Sequence, residues 1–192
     1  MVFWVPRHRV RRPATIPAAA PAAAVAPAAA PAPRERGEAS SGPTTNAAPP
    51  GLVMPVAGVT PADLRDSFAE IHSGHRHEAI DILAPRGTAV VAVADGTIRK
   101  LFHSVPGGIT IYEFDPGGTL CYYYAHLDRY AEGLTEGQRV GAGDVIGYVG
   151  TSGNAPPGTP HLHFAIYRLG PEKRWWEGTA IDPYPVLLHA RR

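Results

Sequence analysis

Cysteine is almost absent from this chain of 192 residues, and the single Cys121 excludes both an internal disulfide and a thiolate-rich zinc site. Metal ligands, if any, must come from His, Asp and Glu. An excess of either charge is also lacking, with eighteen basic side chains against seventeen acidic ones and a formal net charge of +1. That balance leaves no electrostatic footprint for nucleic acid, so no nucleic-acid partner is expected. Near the N-terminus, Arg7, Arg9, Arg11 and Arg12 followed by Ala-x-Ala patterns imitate a signal peptide, but the compact Leu/Val/Phe run of a secretory core is missing. The export signal is therefore not clear from this end. What abounds instead is turn chemistry. Twenty-one Gly and twenty-one Pro point to a β-rich domain with a Pro-rich segment rather than to long helices.

Residues 13–33 are almost wholly Ala and Pro, the composition of an extended, solvated arm. Repeated prolines remove the helical hydrogen bonds that hydrocarbon demands, and Ala supplies little insertion energy, so no transmembrane span is expected there. Residues 1–51 are read as a disordered Ala/Pro-rich segment, a targeting element or a tether to an envelope partner. Residues 52–192 are read as one folded domain, a monomer. Within it, Val/Ile-rich runs alternate with Gly and Asp-Gly. Strands are expected over 88–94, 97–100, 108–114, 120–126 and 161–167, with two short ones inside 138–150. Asp95-Gly96 is read as the turn joining the first two in an antiparallel meander. The one credible helical turn is 61–70, with Thr60 as its N-cap and Pro61 at the first position.

Polar chemistry gathers at three places. His77 and Asp81 stand four apart, a spacing that puts both on one face of a helix or a strand. His161 and His163 stand two apart, so strand alternation sends both to one side and Leu162 and Phe164 to the other. His126 ends the run from Tyr122, where alternation groups it with Tyr122 and Tyr124 and places Cys121, Tyr123 and Ala125 opposite. Catalytic zinc commonly takes three His, Asp or Glu ligands and leaves a fourth position for water. His77, Asp81 and one of the 161/163 pair satisfy that count, leaving His126 and the other member for proton transfer or oxyanion support. His72, His75 and His103 are assigned to solvent-exposed loops, His8 and His189 to the ends, and Cys121 to the core.

The order His77-x-x-x-Asp81, Tyr124-Ala125-His126-Leu127 and His161-x-His163 resembles the lysostaphin or LytM-type zinc metallopeptidases. Similar matches are Asp81-Ile82-x-Ala84-Pro85-x-Gly87-Thr88, Val93-Ala94-Asp95-Gly96, Ile146-Gly147-Tyr148-Val149-Gly150, Ser152-Gly153 and Pro160 through Phe164. Trp175-Trp176-x-Gly178-Thr179-x-x-x-Pro183 resembles the ending of one bacterial subset. The resemblance implies an all-β fold, a compact antiparallel sandwich and barrel hybrid with a groove, in which His77, Asp81 and His163 bind Zn²⁺ and His126 and His161 form the catalytic pair. It also implies a periplasmic or extracellular endopeptidase acting on peptide bonds of peptidoglycan stems or crosslinks. Ala79 departs from the Gly usual between His and Asp, and Thr159 from the Gly common before Pro160. Two rival readings are a non-catalytic cell-wall module or activator of another hydrolase, and a structural zinc site with four protein ligands.

Overall fold

Runs of β-branched residues broken by glycine favour strands that are short and tightly turned, and the chain folds that way. A computed structural model describes residues 51–191 apart from Ser73. The segment 1–50, for which an extended arm is expected, lies outside the described residues. A small hairpin pairs β1 (Ile71–His72) with β2 (His75–Arg76). The main sheet has nine strands: β3 (Ile80–Leu83), β4 (Ala89–Val91), β5 (Gly96–Ser104), β6 (Gly108–Phe114), β7 (Leu120–Tyr130), β8 (Arg139–Val140), β9 (Val145–Val149), β10 (His161–Leu169) and β11 (Gly178–Ile181). Its path runs β11-β10-β7-β6-β5-β8, while β3 joins β10 and β9 joins both β4 and β7. Every named pairing is antiparallel.

Strand β7 holds the sheet together by changing partners along its length. Leu120 to Ala125 lies against β10, and Leu127 to Tyr130 turns to β9. Ile98, Ile111, Tyr122, Tyr124, Leu162, Phe164 and Ile166 are fully buried on the inner face. Val90, Ile146 and Val149 from β4 and β9 close over them, with Leu52, Met54, Val56 and Leu187. One acid enters this layer. Glu113 is fully buried, its Oε2 accepts from the Tyr124 hydroxyl at 2.6 Å, and its Oε1 has no partner. Burial pushes its carboxyl up to about 8.

Two local expectations fail, each for a physical reason. Asp95-Gly96 does not close a hairpin, because β4 pairs with β9 while β5 pairs with β6 and β8. Gly96 serves close approach instead: a Cβ there would collide with the Glu113 side chain and the Phe114 carbonyl. The helical turn shrinks to a 3-10 turn at Pro61–Asp63, although Thr60 and Asp63 form a capping box. None of its residues is buried, so good capping has no packed face to extend. The α-helix present, α1 (Pro183–Leu187), is five residues long and capped by Asp182, which accepts from the Tyr184 N–H at 2.9 Å. Among the described residues no helix is long and apolar enough to cross a membrane.

Candidate active site

Strand alternation on β10 works as read: Leu162 and Phe164 are fully buried in the core, while His161 and His163 face a groove. Cross-strand register then brings in the acid. Asp81 on β3 stands directly opposite His163, the closest relation two antiparallel residues can have. His77 precedes β3, and its backbone N–H donates to the Glu70 carbonyl at 2.9 Å. The ligand atoms converge: Asp81 Oδ1 lies 3.1 Å from His77 Nε2 and 3.3 Å from His163 Nδ1, and the two ring nitrogens are 3.0 Å apart. These three residues form a group whose ligand atoms all lie within 4.8 Å of one another.

Ser67, which was not legible as a site residue, orients two members of this cluster. Its carbonyl accepts from His77 Nδ1 at 3.1 Å, which places the proton on Nδ1 and leaves Nε2 facing the cluster. Its hydroxyl accepts from the Asp81 N–H at 3.2 Å. Asp81 Oδ1 is buried without a well-directed hydrogen bond despite its two close imidazoles. Three electron-rich atoms therefore share one small space, an arrangement that calls for a cation. Burial acts to raise the Asp81 carboxyl, but the close approach of the His163 and His77 imidazoles outweighs it and holds the group well below the usual carboxylate range. Burial also lowers both imidazoles. At His77 the Asp81 carboxylate reverses the sign and raises it, whereas at His163 burial prevails and the ring stays lowered.

The second pair reaches the same groove by two routes. His161 comes with its strand, 6 % exposed, and its Nδ1–H donates to the Thr159 carbonyl at 2.8 Å. His126 comes by a break in β7. Ile111 faces Tyr124 and Ile109 faces Leu127, so Ala125 and His126 together oppose Thr110, a β-bulge. His126 takes φ 60° there. The alternation expected along 120–126 is thereby overturned: Tyr122 and Tyr124 point into the core, and His126 lines the groove with Tyr123 and Ala125. Ser152 stitches the bulge in place. Its carbonyl accepts from His126 Nδ1 at 2.8 Å, and its hydroxyl accepts from the Ile109 N–H at 2.9 Å and donates to the Leu127 carbonyl at 2.7 Å. The His126 and His161 rings lie 5.0 Å apart, and His126 is 5.5 Å from His163. Burial, with the neighbouring imidazoles, pushes His126 down to about 4. It is neutral at pH 7, with its Nδ1 proton on Ser152 and Nε2 left as an acceptor.

The groove has a volume of about 770 Å³, with the five residues on its floor and Pro106, Asn154 and Pro156 among its walls. His75 and His103 are exposed, though on strands rather than loops, and His189 is exposed beyond α1. His8 lies outside the described residues. Cys121 is fully buried, with its thiol pushed up by burial, a packing residue as expected. Ala79 is buried as well, and the left-handed backbone near the cluster falls on its neighbour Glu78, φ 53°.

A domain of antiparallel strands carrying a His-Asp-His cluster beside two more imidazoles in one groove has the donor set of a metal-dependent hydrolase. Comparison with known proteins agrees: residues 75–183 match peptidase family M23, and the chain belongs to that family. It is 39% identical over 116 residues to the L-Ala–D-Glu endopeptidase of Bacillus subtilis, an alignment covering 58% of this chain and 34% of the relative. It is also 39% identical over 122 residues to the DD-carboxypeptidase/endopeptidase Mpg of Neisseria meningitidis, covering 62% of this chain and 24% of that protein. The catalytic domain of lysostaphin from Staphylococcus simulans superposes with a TM-score of 0.52 at 32% identity, covering 60% of this chain and 81% of the other. This chain thus spans about a third or less of the two curated relatives.

Proposed function

We propose that this chain is a zinc-dependent endopeptidase that hydrolyses a peptide bond in the stems or crosslinks of peptidoglycan. The observation that carries the reading is the convergence of His77, Asp81 and His163 on one point, with His126 and His161 on the same groove floor. Two neutral imidazole nitrogens and one carboxylate suit Zn²⁺ by type and number. A zinc ion held there would supply Lewis-acid polarisation of the scissile carbonyl and bring the pKa of a water to about 7. The chain's own residues do the rest. His126 and His161 each keep a proton on Nδ1 through a backbone carbonyl, so each presents Nε2 as the working nitrogen. The depressed pKa of His126 makes it a proton acceptor at neutral pH rather than a standing cation. A proton taken up there can be returned to the leaving amine, and an imidazolium beside the groove stabilises charge on the tetrahedral oxygen.

The chemistry of the relatives supports the substrate class. One is named an L-Ala–D-Glu endopeptidase and another a DD-carboxypeptidase/endopeptidase, and bonds of that mixed L and D chemistry are those of peptidoglycan stems. Such a substrate places the working protein in the cell envelope or outside it. The test is digestion of purified sacculi by metal-replete protein, its chelated form and the His163→Ala variant, with released fragments resolved by mass. Release of uncrosslinked or shortened stems by the metal-replete protein alone is expected, and the fragment masses name the bond. No release by any form, with zinc bound at one equivalent, would transfer the reading to a binding or activating module.

A further inference from the structure

An aromatic row leaves the groove floor and ends in solvent. It starts at Tyr123, whose ring lies 5.9 Å from His163, and passes to Tyr112 on β6 at 4.7 Å. Trp175, in the segment between β10 and β11, packs on Tyr112 at 4.8 Å and on Phe102 of β5 at 5.3 Å. Trp176 completes the row 5.2 Å from Trp175 and is 58% exposed. Anchoring of the 170–177 segment accounts for Trp175, which is half-buried. It does not account for Trp176, a large apolar ring left in water whose one described ring contact is Trp175. The polar neighbours are planar and paired: Arg174 Nη1 donates to Glu177 Oε2 at 3.2 Å on the same segment.

We propose that this row is a subsite for the glycan strand, which binds the amino-sugar rings that carry the stem peptide being cut; the proposal rests on the peptidoglycan reading above. Pyranose rings present flat C–H faces that stack on Trp and Tyr, while their rims of hydroxyl and amide groups need donors and acceptors beside the ring. Trp176 supplies the face, and the Arg174–Glu177 pair supplies both kinds of rim partner. Continuity gives the second reason. Tyr123 belongs both to the groove and to the row, so a ligand on the row continues into the groove without crossing a bare stretch. In peptidoglycan the stem hangs from a sugar, and the four ring steps of 4.7 to 5.9 Å put Trp176 no more than about 20 Å from His163, the reach of about six extended residues. A row of rings with polar edges also fits a sugar better than a lipid surface, which would favour a continuous aliphatic patch.

Tryptophan fluorescence of the full chain, titrated with peptide-free glycan strands and separately with a sugar-free stem peptide, tests this directly. The glycan is expected to give a saturable change whose midpoint rises roughly tenfold in Trp176→Ala and is largely restored in Trp176→Phe. The shift in midpoint for the sugar-free peptide should be several times smaller. No saturable response to glycan, a Trp176→Ala midpoint equal to that of the parent, or an equal loss with the sugar-free peptide would each overturn the proposal. Binding needs no hydrolysis, so the two readings fail separately. A chain that binds glycan but cuts no sacculi keeps the subsite and loses the peptidase, whereas cleavage with no response to glycan does the reverse.

Discussion

Glu113 carries one carboxylate oxygen on the Tyr124 hydroxyl and the other on nothing, inside a layer of Ile and Tyr. Its carboxyl has an ordinary value of 4.5 and a folded value of about 8. Between these values the folded chain keeps a proton that the unfolded chain has released, so stability falls as pH rises through that window and levels off above it. The slope is at most about 1.4 kcal/mol per pH unit. Glu113→Gln removes the titration while keeping an acceptor for Tyr124, so the drop in melting temperature from pH 5 to pH 8 should be smaller in the variant. Parallel melting profiles of the two proteins would contradict the assignment. At this scale the sequence is readable where a side chain acts through its own type. His77, Asp81, His126, His161 and His163 could be selected because few residue types bind metal or move protons. Ser67 and Thr159 could not, because each orients a histidine through a backbone carbonyl that any residue possesses.

Among the elements, β10 and β7 differ in how plainly they declare themselves. The polar and apolar residues of β10 alternate from His161 to Phe164, so the two faces of the stretch that carries the histidines follow from spacing alone. Strand β7 hides its function in a bulge, since nothing in Tyr-Tyr-Tyr-Ala-His signals that the last residue leaves the alternation. The cause lies in its partners. The His126 N–H donates to the Gly107 carbonyl at 2.9 Å, and Ser152 of a distant loop holds the ring and the following strand. Such contacts bridge segments too far apart for local pattern to encode. A non-glycine residue at φ 60° costs about 1 kcal/mol or more. Hence His126→Gly should melt above His126→Ala, reversing the usual order in a strand by about 1 kcal/mol. Both should lower sacculus hydrolysis by about 10² to 10⁴ while still binding zinc. Alanine melting above glycine would show that the left-handed backbone is not retained.

At the scale of the whole molecule, the all-β class follows from turn-rich composition, and the meander β5-β6-β7 from three successive Val/Ile- and Tyr-rich runs. Sheet closure was less legible. Strands β3, β9 and β10 are distant in sequence, and only their pairing with one another or with β7 brings Asp81, His163 and His126 to one groove. β3 and β11 are four residues each, too short to carry a decisive alternation. A site assembled from such remote pieces couples metal binding to the folded state, because no preformed cluster exists in the unfolded chain. The most direct measurement is therefore a titration of chelator-stripped protein with Zn²⁺, following melting temperature and fragment release from sacculi on the same preparation. Fragment release should level off at one equivalent while melting temperature climbs on with the logarithm of free zinc, a stabilisation of about 4 kcal/mol when free zinc exceeds Kd a thousandfold, and His163→Ala should lose both responses. Full hydrolysis by the stripped chain, or an unchanged zinc response in His163→Ala, would contradict the assignment of His77, Asp81 and His163 as the metal site.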